Sequence, residues 1–430
     1  MLPTFALTIY FVGATEFMLS AMLTPLAEAF DTTPSTAAWF VSCYALSYAF
    51  AAPMLGWISD RVDRRKLLLI ALGLFAFDSF ALAIAPTFGI AVVLRIFGGI
   101  AAATLIPTIF GVIADLIPAN RRASAMGTVM LGMTAGIAFG PAMAGLLADT
   151  FDWRAPLLST TLGCTILLAI AWKVIPKTLS QSDSIVKNSD INWWSRSGVL
   201  RLLVGKALWN GTGVSAFLLS GEILRQRYGL NTSSVSLVLS GFGIGLAVGN
   251  ISTGSFTRLV KNSECLVLLS TIVLALSVAT FMLTSSHVAW NFSCLLISGC
   301  ALGIAAPVST SLISEKANSH KGQALSLSES LNNIVILSIF PLSINIQKNH
   351  GTNEYVYFLG VIFLIAAVLS SIDIGHINEF LELKVRAGKK SNPPRKSSDV
   401  STERDASDRL DAREIVHNSE KSALPLECGR

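Results

Sequence analysis

The sequence predicts an all-α membrane protein in which twelve transmembrane helices form two halves of six. Composition is the first observation: 52% of the 430 residues are hydrophobic and 14% are charged, whereas soluble chains are about a quarter charged. The second observation is a series of twelve apolar runs, each long enough to cross a bilayer as a helix. The third is a polar segment, residues 176–198, between an N-terminal half (1–175) and a C-terminal half (199–373), as expected for a transporter built from two repeats.

Hydropathy places the ends of the twelve spans within a few residues. The spans cover residues 4–23, 36–57, 67–86, 88–112, 123–147, 155–175, 199–221, 234–256, 264–284, 288–312, 323–346 and 355–373. Lys and Arg are concentrated in the loops that follow the even-numbered spans. Because basic loops stay on the cytoplasmic side, both termini are expected to be cytoplasmic.

The C-terminal segment, residues 374–430, differs in character from the spans. It mixes basic and acidic residues with Ser, Pro and Asn, and it has few large apolar side chains. Such a segment cannot bury enough surface to offset its ordering entropy. We therefore expect a disordered cytoplasmic tail.

Small residues recur every four positions in the fifth span, at Gly132, Gly136 and Gly140. On a helix this spacing forms one stripe where another backbone can approach closely. The wider pattern comprises Gly127, Gly136, Gly140, Pro141, Ala144 and Gly145. It resembles the antiporter motif on helix 5 of major facilitator superfamily drug–proton exporters, with Ala144 in place of one family glycine. The Pro141 ring is expected to bend the helix near its outer end.

A second stripe of the same spacing lies in the eighth span, at Gly241, Gly245 and Gly249. In the fold that this sequence resembles, helices 5 and 8 face each other across the two halves. The resemblance therefore predicts that the two stripes touch and form a smooth rocking surface.

The loop between spans 2 and 3 resembles the superfamily's hallmark loop, Gly-x-x-x-Asp-Arg-x-Gly-Arg-Arg. The matching residues are Gly56, Asp60, Arg61, Arg64 and Arg65. Asp63 stands where the family has its second glycine. The resemblance implies a conformational latch, in which Asp60 faces the N-terminus of span 11 and Arg64 pairs with Asp115. The alternative is an ordinary basic loop that only fixes topology.

Three ionisable residues lie at a similar depth in the first half: Glu16 in span 1, Asp78 in span 3 and Arg95 in span 4. Glu16 belongs to a segment similar to the first span of sugar, purine and drug exporters. Arg95 belongs to a segment that resembles the span-4 motif, although Gly98 replaces the family's frequent glutamine. We expect Glu16 to carry a proton, Arg95 to tune it and Asp78 to be the reserve carrier. The alternative is a purely structural ion pair beside a buried acid.

Further polar residues lie in the spans of the second half. Lys206 is close enough to the inner surface to extend there as a snorkelling side chain, and Glu329 is expected to contact water or the Asp60 loop. The candidate substrate-cavity residues are Phe17, Trp209, Asn210, Asn332 and Asn333.

The resemblance implies a monomeric exporter in the bacterial inner membrane that moves a small organic compound or drug outward as protons enter. It implies no cofactor beyond the proton gradient and no nucleic-acid partner. Isolated Cys and His residues predict no metal site, and no nucleophile–base set or cofactor loop indicates an enzyme. Two alternatives remain: a proton-coupled importer or facilitator with the same fold, and a membrane sensor that signals through its tail.

Overall fold

The computed structural model of the chain describes residues 1–59, 62–176, 198–260, 262–284, 287–317 and 321–391. The backbone of these residues forms fourteen helices and no strand. In chain order the helices are α1 (Leu2–Phe17), α2 (Leu19–Ala29), α3 (Pro34–Ala37), α4 (Trp39–Ser59), α5 (Arg64–Ala83), α6 (Phe88–Leu116), α7 (Ala119–Thr150), α8 (Ala155–Val174), α9 (Val199–Tyr228), α10 (Thr232–Val260), α11 (Ser263–Leu283), α12 (Val288–Ala317), α13 (Lys321–Asn349) and α14 (Thr352–Ser391). The chain divides into two compact units, residues 1–377 and 378–430, and the membrane spans lie in the first.

The twelve predicted spans are confirmed, and the first of them is bent. Within the part of the chain that the structure describes, eleven stretches are long and apolar enough to cross a bilayer unbroken, and α1 with α2 forms a twelfth that bends by 57°. At the bend Met18 keeps helical backbone angles, and its amide donates to the Ala14 carbonyl at 2.9 Å. The second span starts at Pro34, where the Thr33 hydroxyl caps the first turn.

Helix neighbours in the first half recur in the second half. In the first half α1 packs on α7 and α4 packs on α6; in the second half α9 packs on α13 and α10 packs on α12. These pairs are spans 1 and 5, 2 and 4, 7 and 11, and 8 and 10, so each pair recurs six spans later. Such recurrence is typical of a transporter fold built from two structural repeats. The halves meet where α7 contacts α10, α4 contacts α13 and α2 contacts α9.

The last helix extends past the predicted end of its span. It ends at Ser391, so the backbone of residues 374–391 is helical in place of the expected disordered segment. The reason lies in the apolar spacing of Ile374, Ile377, Leu381 and Val385, which follows the three- and four-residue steps of a helix. Residues 392–430 and the central segment 177–197 lie outside the described residues.

Candidate functional site

Asp78 and Arg95 form a buried pair between α5 and α6. Their side chains are 1% and 0% exposed, and Arg95 Nη1 lies 3.9 Å from Asp78 Oδ2. The guanidinium also lies 4.6 Å from the centre of the Tyr44 ring, a cation–π distance. Neither side chain has a hydrogen bond of full geometry among the described residues, although the Gly98 backbone also interacts with the carboxylate. The pair is therefore held by charge and by the aromatic ring rather than by a hydrogen-bond network.

Gly98 makes the position of Asp78 possible. A β-carbon at residue 98 would overlap the Asp78 carboxylate. The family's frequent glutamine at this position would therefore leave no room for the acid where it lies. The glycine at position 98, which departs from the family pattern, is therefore what leaves room for the buried Asp78 of span 3.

Glu16 is half-buried in the last turn of α1, and it faces charged groups from both halves. Its carboxylate interacts electrostatically with Arg95 and with Glu329 of the second half. The structure therefore brings together the three predicted residues of the first half. Tyr44 joins them, because its hydroxyl interacts with Glu16, Arg95 and Asp78.

Sequence reasoning missed the two tyrosines of α4. Tyr44 and Tyr48 are both buried, and their ring centres are 6.3 Å apart. Tyr48 interacts with Glu16 and with Glu329, one carboxylate from each half. The available signal is their spacing of four residues, which places both rings on one face of a helix inside the membrane.

Lys206 does not extend to the membrane surface, so the snorkelling interpretation is wrong. Its ammonium group donates to Thr310 Oγ1 at 3.1 Å and to Glu329 Oε1 at 3.4 Å. The lysine side chain is 4% exposed, whereas the Glu329 side chain is 48% exposed. A buried ammonium needs a counter-ion, and Glu329 supplies it within the bundle. The three residues join α9, α12 and α13.

The predicted substrate-cavity residues divide into two groups. Asn210 donates to Asn332 Oδ1 at 3.1 Å, one helical turn from the Lys206–Glu329 pair and between the same helices. Asn333 donates to the Glu329 carbonyl at 3.0 Å and so bonds its own helix.

The two aromatic candidates pack in the core. Trp209 is 1% exposed, and Phe17 packs against Phe217 and Phe242 with ring centres 5.6 and 6.5 Å away. In this conformation they do not line open space, and a substrate contact there stays a prediction.

The expected ion pair between Arg64 and Asp115 is present. Arg64 Nη1 lies 2.6 Å from Asp115 Oδ1 and also donates to the Gly111 carbonyl at 3.2 Å. The contact joins the first turn of α5 to the last turn of α6. Asp60 and Arg61 lie outside the described residues, as does the environment of Gly56. The latch role of this loop therefore stays a prediction.

Asp63, the departure from the family loop, has a local structural role. Its carboxylate accepts from the amides of Arg65 and Lys66 at 2.9 and 3.3 Å, so it caps the N-terminus of α5. Arg65 packs against α8, where it donates to the Trp172 carbonyl at 2.7 Å and its guanidinium lies over the indole ring. Both residues position the loop against its own half.

The second half contains an equivalent pair with reversed charges. Glu264 in the first turn of α11 lies 2.9 Å from Lys316 in the last turn of α12. Asn262 caps α11 as Asp63 caps α5. The acid is the buried member of both pairs: Glu264 is 4% exposed and Asp115 is 6% exposed.

The glycine stripe of span 5 packs against span 1. A β-carbon at Gly140 would lie 2.6 Å from the Ala14 α-carbon, and one at Gly136 would lie 2.8 Å from the Ala14 amide nitrogen. Gly132 likewise meets the α1 backbone. Gly127 has no such contact among the described residues. Pro141 lies within α7, which continues to Thr150.

The glycine stripe of span 8 packs against span 10, so the prediction that the two stripes touch is wrong. A β-carbon at Gly245 would lie 2.9 Å from the Cys300 amide nitrogen in α12. Each stripe packs a helix pair within one half, α7 with α1 and α10 with α12, and its small residues let the two backbones approach closely. Helices α7 and α10 do contact each other, but through other faces. There Asn250 Nδ2 donates to Thr134 Oγ1 at 3.0 Å, and Gly145 packs against Ser236.

A further contact between the halves lies at the end of the bundle that is predicted to be extracellular. The Thr24 hydroxyl of α2 donates to the Glu222 carboxylate of α9. One turn away, the Ser20 carbonyl lies where a side chain at Gly221 would be. Sequence reasoning missed this contact; its signal is an acid, Glu222, close to the outer end of span 7.

Solved structures share this arrangement of helices. The crystal structure of a D-xylose-proton symporter aligns with a TM-score of 0.72 and 19% sequence identity over 86% of this chain and 96% of that chain. At this identity the similarity concerns the fold.

The curated relatives named here match over only part of their length. YtbD, an uncharacterized MFS-type transporter of Bacillus subtilis, is 25% identical over 59% of this chain and 64% of its own length. The lincomycin resistance protein LmrB of Listeria monocytogenes is 26% identical over 55% of this chain and 48% of its own length. The chain thus matches less than two thirds of either relative.

A sequence model of the Major Facilitator Superfamily matches residues 5–341, with a second match over residues 202–398. Together the two matches include the membrane spans, the Asp78–Arg95 pair and the Lys206–Glu329 pair. Since this model covers more than half of the sequence, the chain belongs to the Major Facilitator Superfamily, whose members are membrane transporters of small molecules that need no cofactor and are not enzymes.

Proposed function

We propose that the chain exports a small organic compound across the bacterial inner membrane in exchange for protons, by alternating access between its halves. The observation that carries the proposal is the position of Glu16. It is a half-buried carboxylate inside the membrane that faces Arg95 of its own half and Glu329 of the other. When the halves move, Glu329 moves relative to Glu16 and Arg95, so the affinity of Glu16 for a proton changes with conformation.

The direction of transport is supported by two features. The span-5 pattern that ends in Gly140, Pro141 and Gly145 resembles the antiporter motif. One similar protein, LmrB, carries lincomycin resistance in its name. The distribution of Lys and Arg supports cytoplasmic termini, which places the Arg64–Asp115 pair at the cytoplasmic end, where a latch between conformations would act.

The test is substrate flux in proteoliposomes with the inside and outside pH set separately. A drug and metabolite panel in a strain that lacks its main exporters first identifies a transported compound. Glu16→Gln keeps the shape of the side chain and mimics its protonated form. We expect this variant to lose uphill export while downhill exchange of the same compound remains measurable.

The control is Asp152→Asn, which removes an exposed acid paired with Arg154 at 2.8 Å and should leave export unchanged. If Glu16→Gln still concentrates the compound, Glu16 is not the essential proton site. If the unmodified chain ignores the pH gradient, the exporter proposal fails and the facilitator takes its place.

A further inference from the structure

The charges between the halves are unequally exposed. Among the described residues two carboxylates reach the interior: Glu16 is half-buried and the Glu329 side chain is 48% exposed. The two bases are hidden, because the side chains of Arg95 and Lys206 are 0% and 4% exposed. A molecule that enters this space therefore meets negative charge first.

The exposed surface of Glu329 belongs to this interior. On one side the carboxylate holds Lys206 through Oε1. On the other side it interacts with Glu16 and Tyr48, which belong to the opposite half. A side chain with partners in both halves lies between them rather than against lipid.

Each half holds its carboxylate near a base of its own. Glu16 shares Arg95 with Asp78, since the guanidinium lies 3.9 Å from the Asp78 carboxylate. Glu329 shares Lys206 with Thr310, since the ammonium is closer to the hydroxyl, at 3.1 Å, than to the carboxylate, at 3.4 Å. With all groups ionised, the three acids outnumber the two bases, so the cluster lacks one positive charge.

Aromatic rings border the same space. Tyr44 already holds one cation on its face, the Arg95 guanidinium. Tyr48 interacts with both carboxylates. Rings beside carboxylates bind organic cations better than carboxylates alone, because the ring face attracts positive charge and covers apolar substituents.

We propose that the substrate is a small organic cation that binds between Glu16 and Glu329, and that Lys206 is the internal cation that it displaces from Glu329. This inference rests on the proposed transport function and specifies the substrate class. The facing charged and titratable groups are Glu16 of α1, Tyr44 and Tyr48 of α4, Asp78 of α5, Arg95 of α6, Lys206 of α9 and Glu329 of α13.

The experiment compares two ions of the same shape and opposite charge, tetraphenylphosphonium and tetraphenylborate. Binding to the full chain in detergent micelles is measured by equilibrium dialysis, with empty micelles subtracted. We expect the chain to bind the phosphonium in preference to the borate. Glu329→Gln and Glu16→Gln should each weaken phosphonium binding about tenfold or more. The exposed acid Glu354 supplies the matched control, Glu354→Gln, which should bind as the unmodified chain does.

Lys206 supplies a prediction of opposite sign. Lys206→Met removes the internal competitor and leaves Glu329 with a free charge, so phosphonium binding should become tighter. Thermal unfolding in the same detergent reports whether this variant folds. If it does not fold, the Glu329→Gln and Glu16→Gln results decide the question.

Equal binding of both ions, or carboxylate variants that bind the phosphonium as the control does, would overturn the cation site. The dialysis uses no pH gradient, so its result is independent of coupling. A chain that binds the phosphonium as expected but ignores a pH gradient in proteoliposomes keeps the cation site and loses the proton-exchange mechanism. A proton-coupled chain without charge preference keeps the mechanism and loses the cation site.

Discussion

At the scale of single residues, Gly98 decides where a charge can lie. The missing side chain leaves the volume that the Asp78 carboxylate occupies, beside a guanidinium that is fully buried. Arg95 consequently interacts with two acids: Asp78, which is fixed in the core, and Glu16, which faces the interior. Burying an acid beside a base without further hydrogen bonds is costly, and the close fit at Gly98 shows how little freedom the pair has.

Gly98→Ala tests this fit. The added methyl group would overlap the Asp78 carboxylate, so the acid must leave its place and Arg95 loses its nearest counter-ion. We expect the free energy of unfolding to fall by about 1–3 kcal/mol, as for an overpacked core, and transport to fall with it. Thermal unfolding in detergent and flux in proteoliposomes measure the two effects.

Gly360→Ala is the matched control, because its β-carbon has open space among the described residues and sits in a helix as well. Alanine there should be neutral or slightly stabilising. A Gly98→Ala variant that unfolds and transports like this control would show that Asp78 moves aside at no cost.

The sequence predicts which residues of the site lie at one depth, but not which way they face. Counting along a span gave the common level of Glu16, Asp78 and Arg95, because helical rise is fixed. It could not give the partner of Lys206, since Glu329 and Thr310 lie more than a hundred residues away. Snorkelling was the wrong choice because Glu329 supplies a counter-ion to Lys206 within the bundle.

At the scale of helices, the two glycine stripes pack helices of the same half together, whereas Gly145 and Gly221 lie at contacts between the halves. The stripe of α7 holds α1, and the stripe of α10 holds α12, so each half behaves as a packed unit. Charge pairs at the predicted cytoplasmic ends act in the same way. Arg64 with Asp115 and Glu264 with Lys316 each join two helices of one half.

Sequence spacing alone could not identify the partners of the stripes. A four-residue repeat of glycine predicts a close helix contact, and this part of the prediction is correct. It contains no information about which neighbour makes the contact. The family resemblance correctly placed helices 5 and 8 beside each other, and the error was to assign the stripes to that contact.

A crosslink tests the contact between α7 and α10. Thr134→Cys with Asn250→Cys replaces two side chains that are hydrogen-bonded at 3.0 Å, so a short bifunctional thiol reagent should join them in the membrane. Crosslinked and free chains are separated after cleavage of the loop between the halves. The Thr134→Cys, Ser252→Cys chain is the control, because Ser252 lies on the opposite face of α10 and bonds the Val248 carbonyl. Equal crosslinking of both pairs would place α10 in another orientation.

At the scale of the whole molecule, the two halves are closed against each other at the predicted outer end. Thr24 and Ser20 of α2 contact α9 there, and Phe17 packs against rings of α9 and α10. This closure separates the carboxylates of the interior from the outer surface. The fold itself follows from hydropathy and length, since each span must satisfy its backbone within the membrane.

Gly221→Ala should favour the outward-open conformation. Its methyl group would overlap the Ser20 carbonyl, a backbone atom that cannot turn away, so α2 must withdraw from α9. A cysteine in place of Ser20 should then react faster with a membrane-impermeant maleimide added outside. Gly205→Ala on the same helix has its nearest atom at 3.8 Å and should leave the rate unchanged. Equal rates in both variants would mean that this contact does not limit opening.

The bend at Met18 divides span 1 into two segments that meet at one joint. The longer segment, α1, packs against α7 through the glycine stripe. The shorter segment, α2, makes the contacts with α9 that close the outer end. A swing about this one joint would lift Ser20 and Thr24 from α9 while α1 stays packed against α7. Glu16 lies two residues before the joint. If Glu16 exchanges a proton as proposed, that change would need to act over only a single turn of chain, and not along a whole span, to move α2.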